Sequence, residues 1–518
     1  MRWEAKFTSA SEIWMGEALG IRQDLATGSL TGTLTQDEPQ MCRCPICAGG
    51  AEPDQARHSG APMGALNSDD RGDAGLNGKP SLTVAEAAAQ IGRFNTTWNG
   101  STLGQAADVT YAFRASAPAT MPNNTAGFSV FNAAQIEQTK IALQAWSDVA
   151  RITFTQVTGT NGYSNNAQML FGNYSSGAKD AAAFAYYPGN GINGDSWYNS
   201  SFSYNRAPDN LNYGGQVLIH EIGHAIGLAH PGAYNAGNGV PTYANNAEYY
   251  EDTRQYSVMS YWSETNTGGD NGGFYAAAPL LDDIAAVQRL YGANMTTRTG
   301  DTVYGFNSNT GRDYYTATAS NTPVIFAIWD AGGIDTLDFS GYTQNQLIDL
   351  HDGAFSNVGG LTGNVAIGVG VTIENANGGS GADVIIGNEV ANVIRGNAGN
   401  DRIEGGGGAD VLYGGTGADV FVYRQLSDST STAIDRLLDF TSGTDRIDLS
   451  AIDANPNVSG DQAFTRVSAF SGAAGQITFA FNSTTGFTRI SVDADGDRVP
   501  DMVIDVRGQI NTSVDVIL

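Results

Sequence analysis

The chain has 518 residues, enough for two to four domains and a sizeable buried core. Its 53 acidic side chains against 26 basic ones leave a net charge of −27, which argues against a nucleic-acid partner and fits a protein that neutralises itself with cations. Acidic surface can also serve solubility alone. No apolar stretch approaches the ~18 residues of a membrane helix, so no membrane span is expected.

Residues 1–80 differ from the rest: they are rich in Gly, Ala, Asp, Ser and Pro, with a loop-like run over 48–79. This composition reads as a propeptide, largely flexible and ending in a cleavable segment, with a functionless disordered tail as the alternative. Met1 to Leu25 carries Glu4, Glu12, Glu17 and Asp24 and has no clean apolar core, so a cleaved secretory signal is not expected. The three cysteines, Cys42, Cys44 and Cys47, all fall in this region, so the body is not stapled by disulfides.

From Lys79 the pattern becomes globular. Ser81 or Thr83 can cap a helix through Ala85–Phe94. Val109–Phe113 alternates as a strand, and Gln135–Val149 spaces Ile136, Ile141, Leu143, Trp146 and Val149 as an amphipathic helix does. Strands follow at Ile152–Val157 and Gln168–Phe171, and a later helix is expected at Leu280–Leu290.

The segment from His220 to His230 reads H-E-x-x-H-x-x-G-x-x-H, a zinc-hydrolase signature, and holds three of the chain's five histidines. Four residues apart, His220 and His224 project from one helix face. Gly227 can end that helix and return His230 to the same ion. Three neutral imidazoles leave one tetrahedral position open, the mark of a catalytic zinc, and Glu221 is the natural general base for a zinc-bound water.

Downstream stands Ser257-Val258-Met259-Ser260-Tyr261-Trp262. With the zinc helix before it, this stretch resembles the methionine-bearing turn of the metzincin metalloproteases, in the form of the serralysin branch of Gram-negative bacteria. Alone, Met259 would more simply be core. The resemblance implies that Met259 underlies the metal and that Tyr261 lies near the zinc, as a ligand or as a hydrogen-bond donor to the transition state. It also implies that Ala181–Tyr187 is an edge strand on which an extended substrate lies, held by backbone hydrogen bonds.

A nine-residue repeat, G-G-x-G-x-D-x-U-x, occupies 378–422. Its acidic or amide position falls at Asp383, Asn392, Asp401, Asp410 and Asp419, and its apolar position at Ile385, Ile394, Ile403, Leu412 and Phe421. The glycine half turns carbonyls inward toward a cation, the aspartate supplies charge, and the apolar residue stacks in a core that exists only when repeats stack. The pattern resembles the repeats-in-toxin parallel β-roll with calcium between turns. The resemblance assigns calcium to Gly379, Gly381 and Asp383, to Gly396, Gly399 and Asp401, to Gly406, Gly408 and Asp410, and to Gly415, Gly417 and Asp419. In the second repeat Asn388, Val390 and Asn392 replace consensus residues, so its site should be weaker or differently built. Upstream, Arg298, Gly300 and Thr302 with Asp330, Gly332, Gly333 and Asp335 look like two halves of one calcium site, and Thr372 with Glu374 looks joined to Gly379, Gly381 and Asp383. The loop Asp493–Asp501 is either calcium-like or an acidic turn.

The fold expected is therefore an α+β metzincin catalytic domain over 81–296, a mixed twisted sheet with an active-site helix. An all-β parallel β-roll or β-sandwich domain follows over 297–518. The ending Asp515-Val516-Ile517-Leu518 resembles the C-terminal export signal of type I secreted proteases. The combined expectation is a secreted, extracellular, monomeric zinc endopeptidase of a Gram-negative bacterium. It would carry one catalytic zinc and several structural calcium ions, act on proteins and peptides, and be handed to a type I transporter. Cys44 could occupy the fourth zinc position in a latent precursor; a separate metal site, a redox pair of Cys44 and Cys47, or incidental residues are the alternatives. Two other functions share some of these features: a calcium-stiffened adhesin or surface-layer component, and a zinc hydrolase of small substrates.

Overall fold

The computed structural model describes residues 66–72, 76, 78–100, 102–178, 181–189, 191–234, 241–455 and 457–518. The cysteine cluster and most of the expected propeptide lie outside the described residues. Leu66–Gly72, inside the region assigned to the propeptide, packs on the body. The Leu66 amide donates to the Tyr256 hydroxyl (2.8 Å), the Ser68 amide to the Gly353 carbonyl (3.0 Å), and the buried Arg71 guanidinium makes two hydrogen bonds to Asp282 (2.7 and 3.0 Å). Structurally these residues belong to the folded body of the protein.

The first helix, α1 (Val84–Ile91), starts at Thr83, whose hydroxyl accepts from the Glu86 amide while Glu86 accepts from the Thr83 amide, so two otherwise orphaned donors are satisfied. β1 (Ala107–Phe113), α2 (Ala133–Val149), β2 (Ile152–Gln156), β3 (Met169–Tyr174), β4 (Ala183–Ala185) and β5 (Ser196–Asn199) follow. The strands form one five-stranded sheet in the order β2-β1-β3-β5-β4. All neighbours run parallel except β4, which is antiparallel to β5 and lies at the edge. β4 is shorter than expected, and β5 escaped the sequence reading because a four-residue strand buried throughout has no alternation to detect.

The long helix α3 (Tyr213–Ala225) begins at Asn212, whose side chain accepts from the Gly215 amide (3.0 Å). It is buried from Gly214 to Ala225, so it is a core element rather than a surface one. The closing helix is α4 (Leu281–Tyr291).

Beyond Arg298 the chain coils. Val384–Ile386 pairs with Arg402–Glu404, and Val393–Arg395 with Val411–Tyr413, each in parallel and each two repeats apart. Alternate repeats therefore supply two opposed parallel sheets. Ile385, Ile403 and Phe421 fill the core from one sheet, Ile394 and Leu412 from the other, all fully buried. A hairpin-linked set, Gln476–Asn482, Phe487–Asp493 and Met502–Arg507, extends the second sheet. The ending joins the first: Val516 and Ile517 pair with Ile447 and Asp448.

Candidate active site

α3 carries His220, Glu221 and His224 into the interior, all 1% exposed or less. The helix stops after Ala225, and Gly227 takes φ +108° with the Thr96 carbonyl 2.1 Å from where a Cβ would stand. Only glycine passes there, and the turn brings His230 back. The three Nε2 atoms lie 3.1–3.3 Å apart. Their Nδ1 atoms face backbone carbonyls: His220 that of Val258 (2.8 Å), His224 that of Leu228 (2.7 Å), His230 that of Tyr234 (3.2 Å).

A carbonyl can only accept, so each Nδ1 carries the proton and the three Nε2 lone pairs converge with no hydrogen between them. Such an arrangement calls for a cation. A tetrahedral zinc with bonds of about 2.0–2.1 Å would space its ligand atoms about 3.3 Å apart, so the donor set fits. Burial, then the neighbouring His220 and His230, hold His224 well below the usual imidazole range, which keeps it a neutral ligand.

Beneath the helix lies Met259, fully buried, with its sulfur 2.5 Å from where a Gly223 Cβ would stand. A glycine on α3 therefore makes room for the turn. That turn is anchored from α4. Asp283 accepts from the Ser257 hydroxyl (2.6 Å) and from the Val258 (2.7 Å) and Leu280 (2.9 Å) amides. Since the Val258 carbonyl takes the proton of His220, Asp283 reaches the histidine through one residue, Val258. Burial, only partly offset by these donors, pushes its carboxyl up to about 7. The Tyr261 ring lies 4.3 Å from that of His230 and 6.3 Å from that of His220. Next to β4, Tyr187 meets His224 edge-on at 5.7 Å, so the sheet edge borders the histidine cluster.

The matrixin family model matches residues 105–249, and the model described as Peptidase M10 serralysin C terminal matches 293–518. Serralysin C of Dickeya chrysanthemi is 53% identical over 478 residues, covering 90% of this chain and 98% of the relative. The chain belongs to the serralysin family. It is accordingly a zinc metalloendopeptidase acting on proteins, built as a metzincin domain followed by a β-roll. Metallopeptidase AprA of Pseudomonas marginalis is 54% identical across 85% of this chain and 92% of the relative. Serralysin of Proteus mirabilis is 47% identical across 85% and 93%. Among the described residues no helix is long and apolar enough to cross a membrane.

In the roll each acidic side chain reaches the coil before it. Asp401 accepts from the Asp383 amide (2.8 Å), Asp410 from Asn392 (2.8 Å) and Asp419 from Asp401 (2.9 Å). The second carboxylate oxygen of Asp335, Asp401, Asp410 and Asp419 is buried without a partner among the described residues. Gly417 takes φ +144°, and its missing Cβ would stand 1.5 Å from the Gly399 carbonyl oxygen, so the turns stack at backbone distance. Orphaned carboxylate oxygens among close-packed carbonyls are the donor set of a hard cation. Asn392 differs, as its departure from consensus suggested: its amide accepts from the Asn388 amide (2.9 Å) and donates to the Glu374 carbonyl (2.9 Å).

Upstream the two expected half-sites meet where the Thr302 amide donates to Asp335 (2.7 Å); within the second half the Gly332 amide donates to Asp330 (2.9 Å). The Arg298 side chain turns elsewhere, to Asp148 (3.0 Å) and the Trp329 carbonyl, leaving only its backbone for an ion. One grouping needs correction. Glu374 accepts from the Asp335 amide (2.7 Å), whereas Asp383 accepts from Gly379 (2.6 Å) and Gln346 (2.8 Å). Glu374 and Asp383 are nine residues apart, and a one-repeat step moves the chain to the opposite sheet, so they face different turns. In the Asp493–Asp501 loop, Asp493, Asp495 and Asp497 come within 4.8 Å of one another, and each accepts an amide of its own loop.

Sequence reading missed Asp283, Asp252, Asp435 and Asp445. The last two continue the acidic column: the Asp410 amide donates to Asp435 (2.9 Å) and the Asp419 amide to Asp445 (3.1 Å), at separations of 25 and 26 residues rather than 18. An inserted loop hides them from a strict nine-residue period, although extending the column with a gap would have found both.

Proposed function

We propose that this chain is a secreted, calcium-stabilised endopeptidase in which His220, His224 and His230 hold the zinc and Glu221 is the general base. The observation that carries the reading is the convergence of three proton-free imidazole nitrogens beside a buried carboxylate. Bound there, zinc supplies Lewis acidity and lowers the pKa of an attacking water. Glu221 takes that water's proton and returns it to the leaving amine. Tyr261, packed on His230, donates a hydrogen bond to the oxygen on which charge develops. The edge strand β4 receives an extended peptide by backbone pairing, which tolerates many side chains.

Calcium at Arg298, Gly300, Thr302, Asp330, Gly332, Gly333, Asp335, Thr372 and Glu374 and along the repeat aspartates would order the roll outside the cell, where the ion is abundant. Asp515, buried in the folded chain, accepts from the Ser442 hydroxyl (2.6 Å) and the Gly443 amide (2.9 Å). A type I transporter that reads Asp515-Val516-Ile517-Leu518 would find Asp515 accessible only while the roll is open.

The test is Glu221→Gln. It should cut peptide turnover by about 100-fold or more while one zinc per chain remains, because no ligand is touched. Casein digestion at the parental rate would refute the base assignment.

A further inference from the structure

Asp252 is fully buried, in a stretch without helix or strand that precedes Met259. Its carboxylate gathers three donors: the Tyr234 hydroxyl (2.7 Å), the Ser260 hydroxyl (2.7 Å) and the Trp262 indole N–H (3.2 Å). These come from two different segments. Tyr234 lies four residues beyond His230; its carbonyl takes the His230 Nδ1 proton (3.2 Å) and its ring stacks on His230 at 5.4 Å and 13°. Ser260 and Trp262 flank Tyr261 on either side. The rings of Tyr234 and Tyr261 are 4.7 Å apart, those of Tyr234 and Trp262 4.9 Å.

We propose that Asp252 is a positioning residue of the proteolytic site, a buried bracket that fixes Tyr261 against His230 by tying the third-histidine loop to the segment after Met259. The inference rests on the reading of Tyr261 as a transition-state donor. The geometry argues for a positioning role. A carboxylate needed only to fill a core would be costly, since burying a charge without a cation is unfavourable unless several donors meet it. Among the described residues the three donors are the two chain neighbours of Tyr261, together with Tyr234, whose ring packs on it. An acceptor with two oxygens is required: asparagine would turn an N–H toward the Trp262 or the hydroxyl donors, and the bracket would open on one side.

The experiment is a double-mutant cycle on full-length, zinc- and calcium-loaded protein, with a chromogenic peptide as substrate and zinc content and thermal midpoint measured alongside. Asp252→Asn should lower kcat by about 10-fold with KM within about 2-fold and one zinc retained, as expected when a supporting partner of a metal site is lost. In the Tyr261→Phe background the same substitution should lower kcat by less than about 2-fold, because the group it positions is gone. A merely structural role would depress activity equally in both backgrounds. Losses that multiply, or parental kcat in Asp252→Asn, would overturn the inference. Parental kcat in Tyr261→Phe would instead sink the role of Tyr261 itself, and with it the bracket's purpose. A parallel cycle with Ser260→Ala, which removes one donor and leaves the carboxylate, decides the matter if Asp252→Asn does not fold: coupling to Tyr261→Phe upholds the bracket, independent losses refute it.

Discussion

Withdrawing calcium should invert the pH dependence of the roll's stability. Burial, then the neighbouring Asp383 and Asp419, push the Asp401 carboxyl up to about 7, and burial with Asp330 and Glu374 nearby does the same for Asp335. Asp410 and Asp435, stacked on each other, are raised as well. An unfolded aspartate titrates near 3.9. Below that value both states are protonated and no stability is lost. Between it and about 7 the unfolded chain releases a proton that the folded chain keeps, so stability falls as pH rises, and above 7 the loss is complete. A thousand-fold difference in proton affinity corresponds to about 4 kcal/mol per group. Asp335 shares its turn with Asp330 and Glu374, and Asp401 stacks between Asp383 and Asp419, so the retained proton is divided among neighbours and about 2 kcal/mol each is a fairer figure. Asp401 and Asp335 alone then cost about 4 kcal/mol at pH 8, a large share of the 5–15 kcal/mol that usually holds a domain together. Bound calcium neutralises the same oxygens, and with it protons become competitors, so stability should fall on acidification. The assay is urea unfolding of the Glu221→Gln protein, which cannot digest itself, from pH 5 to 8 with saturating calcium and after chelation with zinc restored. Without calcium the midpoint should drop steadily with rising pH; with calcium it should rise. A calcium-free midpoint that is flat or rising over this range would refute the reasoning.

Asp283→Ala should strand the Ser257 hydroxyl and the Val258 and Leu280 amides in the interior, at about 1–3 kcal/mol for each orphaned group. Equilibrium unfolding should register a loss of several such increments together with weaker zinc retention, because the Val258 carbonyl orients His220; a change under about 1 kcal/mol would contradict the anchoring role. Arg71→Ala leaves the buried Asp282 without its guanidinium, and breaking such a pair costs about 3–5 kcal/mol. The prediction fails if the urea midpoint stays at the parental value. Since Arg71 lies on the segment that also bonds Gly353 of the roll, its loss should also speed limited proteolysis N-terminal to Ser81, read by gel and mass spectrometry.

Two features were fixed by the chain's local arithmetic. Residues four apart on a helix share a face whatever surrounds them, so His220 and His224 could be paired, and the glycine at 227 foretold the return of His230. A nine-residue period likewise dictates its own strand and turn, so the stacked apolar column from Ile385 to Phe421 was legible before any coordinate. The partners that hold these parts in place depended on the tertiary structure alone. Arg71 meets Asp282 across 211 residues of sequence, the Leu66 amide meets Tyr256 across 190, and neither contact leaves a periodic trace. Asp252 and Asp283 look like ordinary acids in the sequence; their weight comes from the donors that packing delivers to them. The coil geometry, too, decided that Glu374 faces Asp335, because a side chain's sheet is set by where the chain turns and not by which motif stands next to it. Short-range spacing fixes what a residue can do, while burial and long-range closure fix what it does it with.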